Sequence, residues 1–257
     1  MDNPFEGQKA ALASLSGAYK LGIHSGKGGV GKTFLSVNLA YSLAARGCRV
    51  GLLDADIDCP NVSKFLSIQG MAAREKGALV PAMHEGVAVI STALLNPGSE
   101  SPIIIRGPIK HNMLLSFLSS VRWGALDYLV IDLPPGTADV PLSAMQLAAL
   151  DGLMLVSAPT KESLLDTARA ANMARKLGVG ILGLVENMSG DIFGSRGEEA
   201  AARMEVPFLG SIPLSAETAR INEEAGIAFL RSEALYGIRD SLLGKVAAAR
   251  GKPCTSS

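Results

Sequence analysis

Short apolar runs alternate with stretches of helical spacing along almost the whole chain. Seven runs read as strands, at 21–25, 49–54, 87–91, 128–132, 152–158, 180–185 and 208–212. Seven stretches between and after them read as helices, at 32–46, 108–121, 141–149, 161–177, 197–204, 216–225 and 232–249. In the first of these, Leu35, Leu39 and Leu43 recur at helical spacing. Two strand runs, Leu129-Val-Ile131 and Leu153-Met-Leu-Val156, are apolar at successive positions and so on both faces. Parallel strands covered by helices on both sides have that pattern. The alternation therefore predicts an α/β fold, a doubly wound and mostly parallel sheet with helices on both faces. Residues 72–84 read as a weakly patterned connector, 1–20 as an N-terminal extension and 251–257 as a flexible tail.

Composition narrows the classes of function. The 257 residues carry 24 basic and 24 acidic side chains, for zero net charge. With no basic run and no ladder of aromatics, nucleic acid is not an expected partner. No apolar stretch has the length of a membrane span. The last helix has only a modest, Ala-rich apolar face (Leu242, Leu243, Val246), so a stable membrane anchor is not expected either. The start of the chain has acidic residues and no signal-peptide core. Three cysteines, at 48, 59 and 254, are too few and too scattered for a disulfide framework, and their odd number points to a reducing cytoplasm.

The strongest chemical signal follows the first strand. Gly26, Lys27, Gly28, Gly29, Val30, Gly31, Lys32 and Thr33 fit the phosphate-loop pattern of Gly, four residues, Gly-Lys-Ser/Thr. The glycines let backbone N–H groups converge on an anion. Lys32 is placed to reach β- and γ-phosphates and Thr33 to offer a hydroxyl to Mg²⁺. The helix that begins there adds positive potential. A nucleoside triphosphate is the expected ligand, with residues 21–250 as one P-loop ATPase domain.

Two more segments supply carboxylates at the C-terminal ends of strands, the edge where open α/β sheets gather ligands. Asp54 and Asp56 end the second strand. Asp132 ends the fourth and leads into Leu-Pro-Pro-Gly-Thr-Ala-Asp139. Asp132 is the expected support for Mg²⁺, and Gly136 the pivot of a loop able to move toward a γ-phosphate. His24, beside the phosphate loop, reads as a hydrogen-bonded strand-end residue rather than a catalytic base.

Lys27, directly after the first glycine, makes the loop resemble the deviant Walker A of the MinD/ParA-type ATPases. Asp54-Ala-Asp-Ile-Asp-Cys-Pro60, Arg106-Gly-Pro108, Trp123-Gly-Ala-Leu-Asp-Tyr128, Asp132-Leu-Pro-Pro-Gly-Thr-Ala-Asp139 and Glu186-Asn-Met-Ser189 narrow the likeness to the Mrp/ApbC branch, described as iron–sulfur cluster carriers. The resemblance runs from about residue 21 to residue 231. It implies ATP and Mg²⁺ as cofactors and a homodimer closed by ATP, with Lys27 reaching the partner's nucleotide. It makes Asp56 the residue that orients or activates water and Asp54 a support near Mg²⁺. Asn187 would read the adenine edge, with Pro213 and Leu214 of the Ser211-Ile-Pro-Leu214 segment as the other wall of the base pocket. Arg106 would make an interface or switch contact. Partners would be iron–sulfur apo-proteins or another protein.

One motif is missing. Cluster-carrying members have a Cys-x-x-Cys pair shortly after the Glu-Asn-Met-Ser segment, and two pairs give the four thiolates of a [4Fe–4S] cluster. This chain continues Gly190-Asp-Ile-Phe-Gly-Ser195 and has no cysteine between Cys59 and Cys254. Cys59 is a weak substitute ligand, and Cys254 joins it only if the tail folds back. Cys48 reads as a core thiol and Cys254 as an inert tail thiol. Two functions stay open: an ATPase that carries or assembles clusters, and a cluster-free nucleotide switch acting on a protein partner.

Overall fold

The computed structural model of the chain describes residues 15, 17–69, 72–75, 78–95, 107–252 and 254. Arg106 lies outside them. In chain order the elements are β1 (Tyr19–His24), α1 (Lys32–Ala44), β2 (Val50–Asp54), α2 (Val62–Phe65), β3 (Ala73–Glu75), β4 (Ala78–Val80), β5 (Ala82–His84) and β6 (Val87–Ile90). Then come α3 (Gly107–Ser119), β7 (Tyr128–Asp132), α4 (Asp139–Ala148), β8 (Gly152–Ser157), α5 (Lys161–Lys176), β9 (Ile181–Ser189) and α6 (Gly197–Arg203). The chain ends with β10 (Phe208–Pro213), α7 (Ala216–Glu223), α8 (Ala228–Arg231) and α9 (Tyr236–Arg250).

The main sheet has eight strands in the order β10-β9-β8-β1-β7-β2-β6-β5. Every pairing in it is parallel except β5 on β6. All residues of β2, β7 and β8 are buried, as their continuous apolar runs require of strands covered on both faces. β1 lies between β7 and β8 with Ile23 opposite Asp132, and Asp54 of β2 lies opposite Asp132 in turn. The phosphate loop and both acidic strand ends therefore meet at one edge of the sheet.

Helix positions follow from local chemistry. The Thr160 hydroxyl accepts from the Ser163 amide to cap α5, with Glu162 in its first turn and Arg175 and Lys176 in its last. α5 passes so close beneath the phosphate loop that a Cβ at position 26 would lie 2.1 Å from the Asp166 carbonyl carbon. Only glycine fits at Gly26. α1 is buried along nearly its whole length. Asn38 on it accepts from the Phe229 amide at 2.8 Å, fixing α8 against it.

Three features differ from the sequence expectations. The 72–84 connector contains three strands of three residues each, with β3 pairing β4 and β5 edging the main sheet. The extension reading of 1–20 fails at Tyr19 and Lys20, which belong to β1. The tail does not hang free at Cys254, which forms a disulfide with Cys48 across 206 residues; Cys48 is buried in the core as expected, but neither residue is the free thiol expected. The pairing was hidden because it depends on the end of α9 and the residues after it reaching the start of β2. The Arg250 guanidinium donates to the fully buried Asp127 at 2.7 Å, and Arg49 holds the same carboxylate from the other side at 3.2 Å. A loop of this length gives a chain-entropy contribution of up to about 5 kcal/mol.

Candidate nucleotide site

Asp132 is the hub of the site. Its carboxylate is 1% exposed and accepts from Lys32 Nζ at 3.0 Å, Thr33 Oγ1 at 2.6 Å and Ser36 Oγ at 2.8 Å. Lys32 is itself buried and lies 3.9 Å from Asp56. The phosphate-loop lysine and hydroxyl and the β7 carboxylate thus converge. Ser36 was missed, although its position four residues after Lys32 places it on the same helix face. A hydroxyl and a carboxylate are the hard oxygen donors that Mg²⁺ takes. Thr33 and Asp132 fit that ion when phosphate oxygens complete its shell, and among the described residues no cluster of three or more His, Cys, Asp or Glu forms a cage without them.

Asp54 has a different position from the one expected of a Mg²⁺ support. It is fully buried, and its two oxygens accept from the amides of Asp56, Asn61 and Val62 and from Ser91 Oγ, at 3.0–3.2 Å. Its oxygens are taken up in shaping the 55–62 loop. Burial, and after it the neighbouring Asp132, raise its pKa, while the donors and Lys32 oppose the rise. Asp56, carried by that loop, is half-buried and accepts from the Cys59 amide at 3.3 Å. Burial raises its pKa, and Lys32 opposes.

Asn187 sits at the end of β9 and donates to the Val30 carbonyl at 2.9 Å. Its amide nitrogen lies only 1.9 Å from where a Cβ on Gly31 would be, and Gly31 has φ +91°. In this structure Asn187 braces the phosphate loop, a role the base-edge reading did not contain, and the positive φ of Gly31 favours glycine there. Pro213 and Leu214 are exposed on the same sheet edge, where the Leu214 amide donates to Ser189 at 2.9 Å. Lys27, Gly28 and Gly29 are exposed there too, and Val30 is buried.

The Asp132-to-Asp139 loop is tethered to the phosphate loop. The Gly136 amide donates to the Ser25 carbonyl at 2.9 Å, and Gly136 has φ +94°. His24, expected to be hydrogen-bonded, is fully buried with neither ring nitrogen partnered.

Where the sequence resemblance leads one to expect two cysteines, a short turn closes instead. The Glu186 carboxylate accepts from Ser195 Oγ at 2.6 Å, the Arg196 amide at 2.7 Å and Ser211 Oγ at 2.9 Å. Cys59 is exposed and is the free cysteine. Cys48 precedes β2 and Cys59 follows it, so the five residues of β2 separate them by roughly 16 Å.

A family model described as ParA, NUBPL iron-transfer P-loop NTPase, matches residues 18–239. An iron–sulfur cluster carrier protein of Saccharolobus solfataricus is 41% identical over 227 residues, 83% of this chain and 77% of that protein. The mouse cytosolic Fe-S cluster assembly factor NUBP2 is 35% identical over 85% of this chain and 86% of its own. Among solved structures, a nucleotide-binding protein from Archaeoglobus fulgidus in complex with ADP superposes with a TM-score of 0.76 at 28% identity, covering 88% of this chain and 94% of the other. The cell division ATPase MinD of Pyrococcus furiosus gives 0.68 at 25% identity, over 90% and 98%. Among the described residues no helix is long and apolar enough to cross a membrane. The chain belongs to the NUBPL iron-transfer P-loop NTPases of the ParA family.

Proposed function

We propose that this protein is a Mg²⁺-dependent ATPase of iron–sulfur cluster assembly, in which ATP closes a homodimer and hydrolysis reopens it. The observation that carries the reading is the convergence of Lys32, Thr33 and Asp132 at one strand edge. On ATP binding, Lys32 leaves Asp132 for the β- and γ-phosphate oxygens, and the amides of the 26–33 loop cradle the phosphates. Thr33, with Asp132 behind it, would hold Mg²⁺, which would supply positive charge to offset that of the phosphates. Asp56, released from Lys32, orients the attacking water. Lys27, exposed on this edge, reaches the partner's nucleotide. Asn187, Pro213 and Leu214 border the base.

The cluster itself needs ligands from elsewhere. With Cys48 bonded to Cys254, a dimer offers two free thiols, both Cys59, where a [4Fe–4S] cluster takes four. This favours a form of the function in which the chain supplies the nucleotide cycle and an iron–sulfur apo-protein or another protein partner supplies thiolates. The test is phosphate release alongside sedimentation velocity. Turnover is expected with ATP and Mg²⁺ and is lost in EDTA, and a non-hydrolysable analogue shifts the protein to dimer. No turnover under any of these conditions, or no dimer with the analogue, overturns the cycle.

A further inference from the structure

The loop that carries Asp56 is pinned at its two ends. The Ala55 amide donates to the Asp132 carbonyl at 2.9 Å, and the Asn61 and Val62 amides donate to Asp54. Between these ends the Cys59 amide donates back to Asp56, a bond inside the loop. Among the described residues, the hydrogen-bonding group that holds residues 57–60 from another element is Lys110, in the first turn of α3. Its Nζ lies 2.6 Å from each carboxylate oxygen of Asp58.

Packing does not substitute for that tie. Beside the loop lies a cavity of about 390 Å³, with Ala55 and Ile57 on the loop side, Pro108, Lys110 and Leu114 on α3, and Val140 on α4. A wall that faces a void lacks the contacts a close-packed neighbour would give it. The Lys110 side chain is 17% exposed and that of Asp58 48%, so solvent screens the pair and it adds little to global stability. Its consequence is local, because Asp58 lies two residues after Asp56.

We propose that Lys110 is a positioning residue for Asp56: by clamping Asp58 from α3 it fixes the middle of the loop, and with it the place from which the Asp56 carboxylate meets the attacking water. The idea rests on the ATPase reading above. It goes further by adding a residue that lies outside the phosphate loop and the acidic strand ends. In that cycle Lys32, now 3.9 Å from Asp56, turns to the phosphates, and Lys110 remains as the cation tied to the loop.

The first experiment needs no nucleotide. Hydrogen exchange across residues 56–62 is expected to quicken several-fold in Lys110→Met and in Asp58→Ala, no further in the double variant, and with an unchanged melting temperature. Exchange as slow as wild type in either single variant overturns the proposal. The second experiment is kinetic. Each single variant and the double variant are expected to lose about tenfold in kcat with KM for ATP unchanged, since a slightly misplaced catalytic group is felt in turnover rather than in binding. Lys110→Arg, which keeps a cation for Asp58, restores most of the loss. Wild-type kcat in Lys110→Met, losses that add in the double variant, or no rescue by arginine overturns the proposal. If the wild-type protein does not hydrolyse ATP while exchange responds as expected, the ATPase reading falls and takes the role of Lys110 with it.

Discussion

Replacing Lys32 with alanine is expected to raise the Kd for ATP by at least about a hundredfold and to remove turnover. In the proposed cycle Lys32 makes charge-assisted bonds to phosphate oxygens, and such bonds are worth about 1.5–3 kcal/mol each. The same variant should lose stability, because Lys32 is the cation set among Asp132 at 3.0 Å, Asp56 at 3.9 Å and the buried Asp54. Breaking a buried pair by deleting one partner costs about 3–5 kcal/mol. The lower part of that range is expected here, since Thr33 and Ser36 still donate to Asp132. Lys32→Arg serves as the control, retaining charge and most of the stability while misplacing the phosphate contacts. Titration calorimetry and thermal melting separate the two effects. Unchanged affinity and turnover in Lys32→Ala would remove the nucleotide site from this edge of the sheet.

Asp56→Asn is expected to leave ATP affinity within a few-fold of wild type and to slow kcat by about a hundredfold or more, the range for losing a group that handles the proton of an attacking water. The substitution keeps size and removes only charge, so the loop anchored by Asp54 should persist. The pH profile carries a second signature. Burial raises the pKa of Asp56, and Lys32 holds it back. When Lys32 turns to the phosphates that restraint weakens, and the carboxyl takes up a proton more readily as pH falls. Turnover should therefore decline on the acid side in wild type, and that limb should disappear in Asp56→Asn. Equal loss of binding and turnover would make Asp56 a Mg²⁺ support instead.

Much of this arrangement was legible in the sequence because its signals are local. Four apolar residues ending in Asp132, and glycines at fixed offsets before Lys32, each specify a strand end or a loop without reference to the rest of the chain. The seven strands read from periodicity all occur, with 128–132 matching to the residue. What escaped was either too short or too distant. β3, β4 and β5 have three residues each, below the length at which alternation can be recognised, and α2 and α8 have four. The Cys48–Cys254 pairing depends on α9 returning across 206 residues. The donors that engage Asp54 are split between its own loop and Ser91 at the end of β6. Asn187 was singled out from its place after an apolar strand, but its contact with Val30 spans 157 positions, beyond any local pattern.

Family membership and ligand inventory point in different directions over the cluster. The relatives are named for carrying or assembling iron–sulfur clusters. In this chain a turn closed by Glu186 stands where the paired cysteines would be, and two of the three thiols are joined at the opposite sheet edge from Cys59. Reducing the disulfide would not bring those sulfurs to Cys59, because the length of β2 lies between them. In the proposed function the nucleotide cycle belongs to this chain and a partner completes cluster ligation. Anaerobic iron–sulfur reconstitution of the purified protein alone, followed by its absorption spectrum and iron and sulfide analysis, tests that separation most directly. The predicted result is a colourless protein that still hydrolyses ATP. A broad band near ~400 nm with about four irons per dimer, abolished by Cys59→Ala, would contradict it and establish a cluster bridged by Cys59.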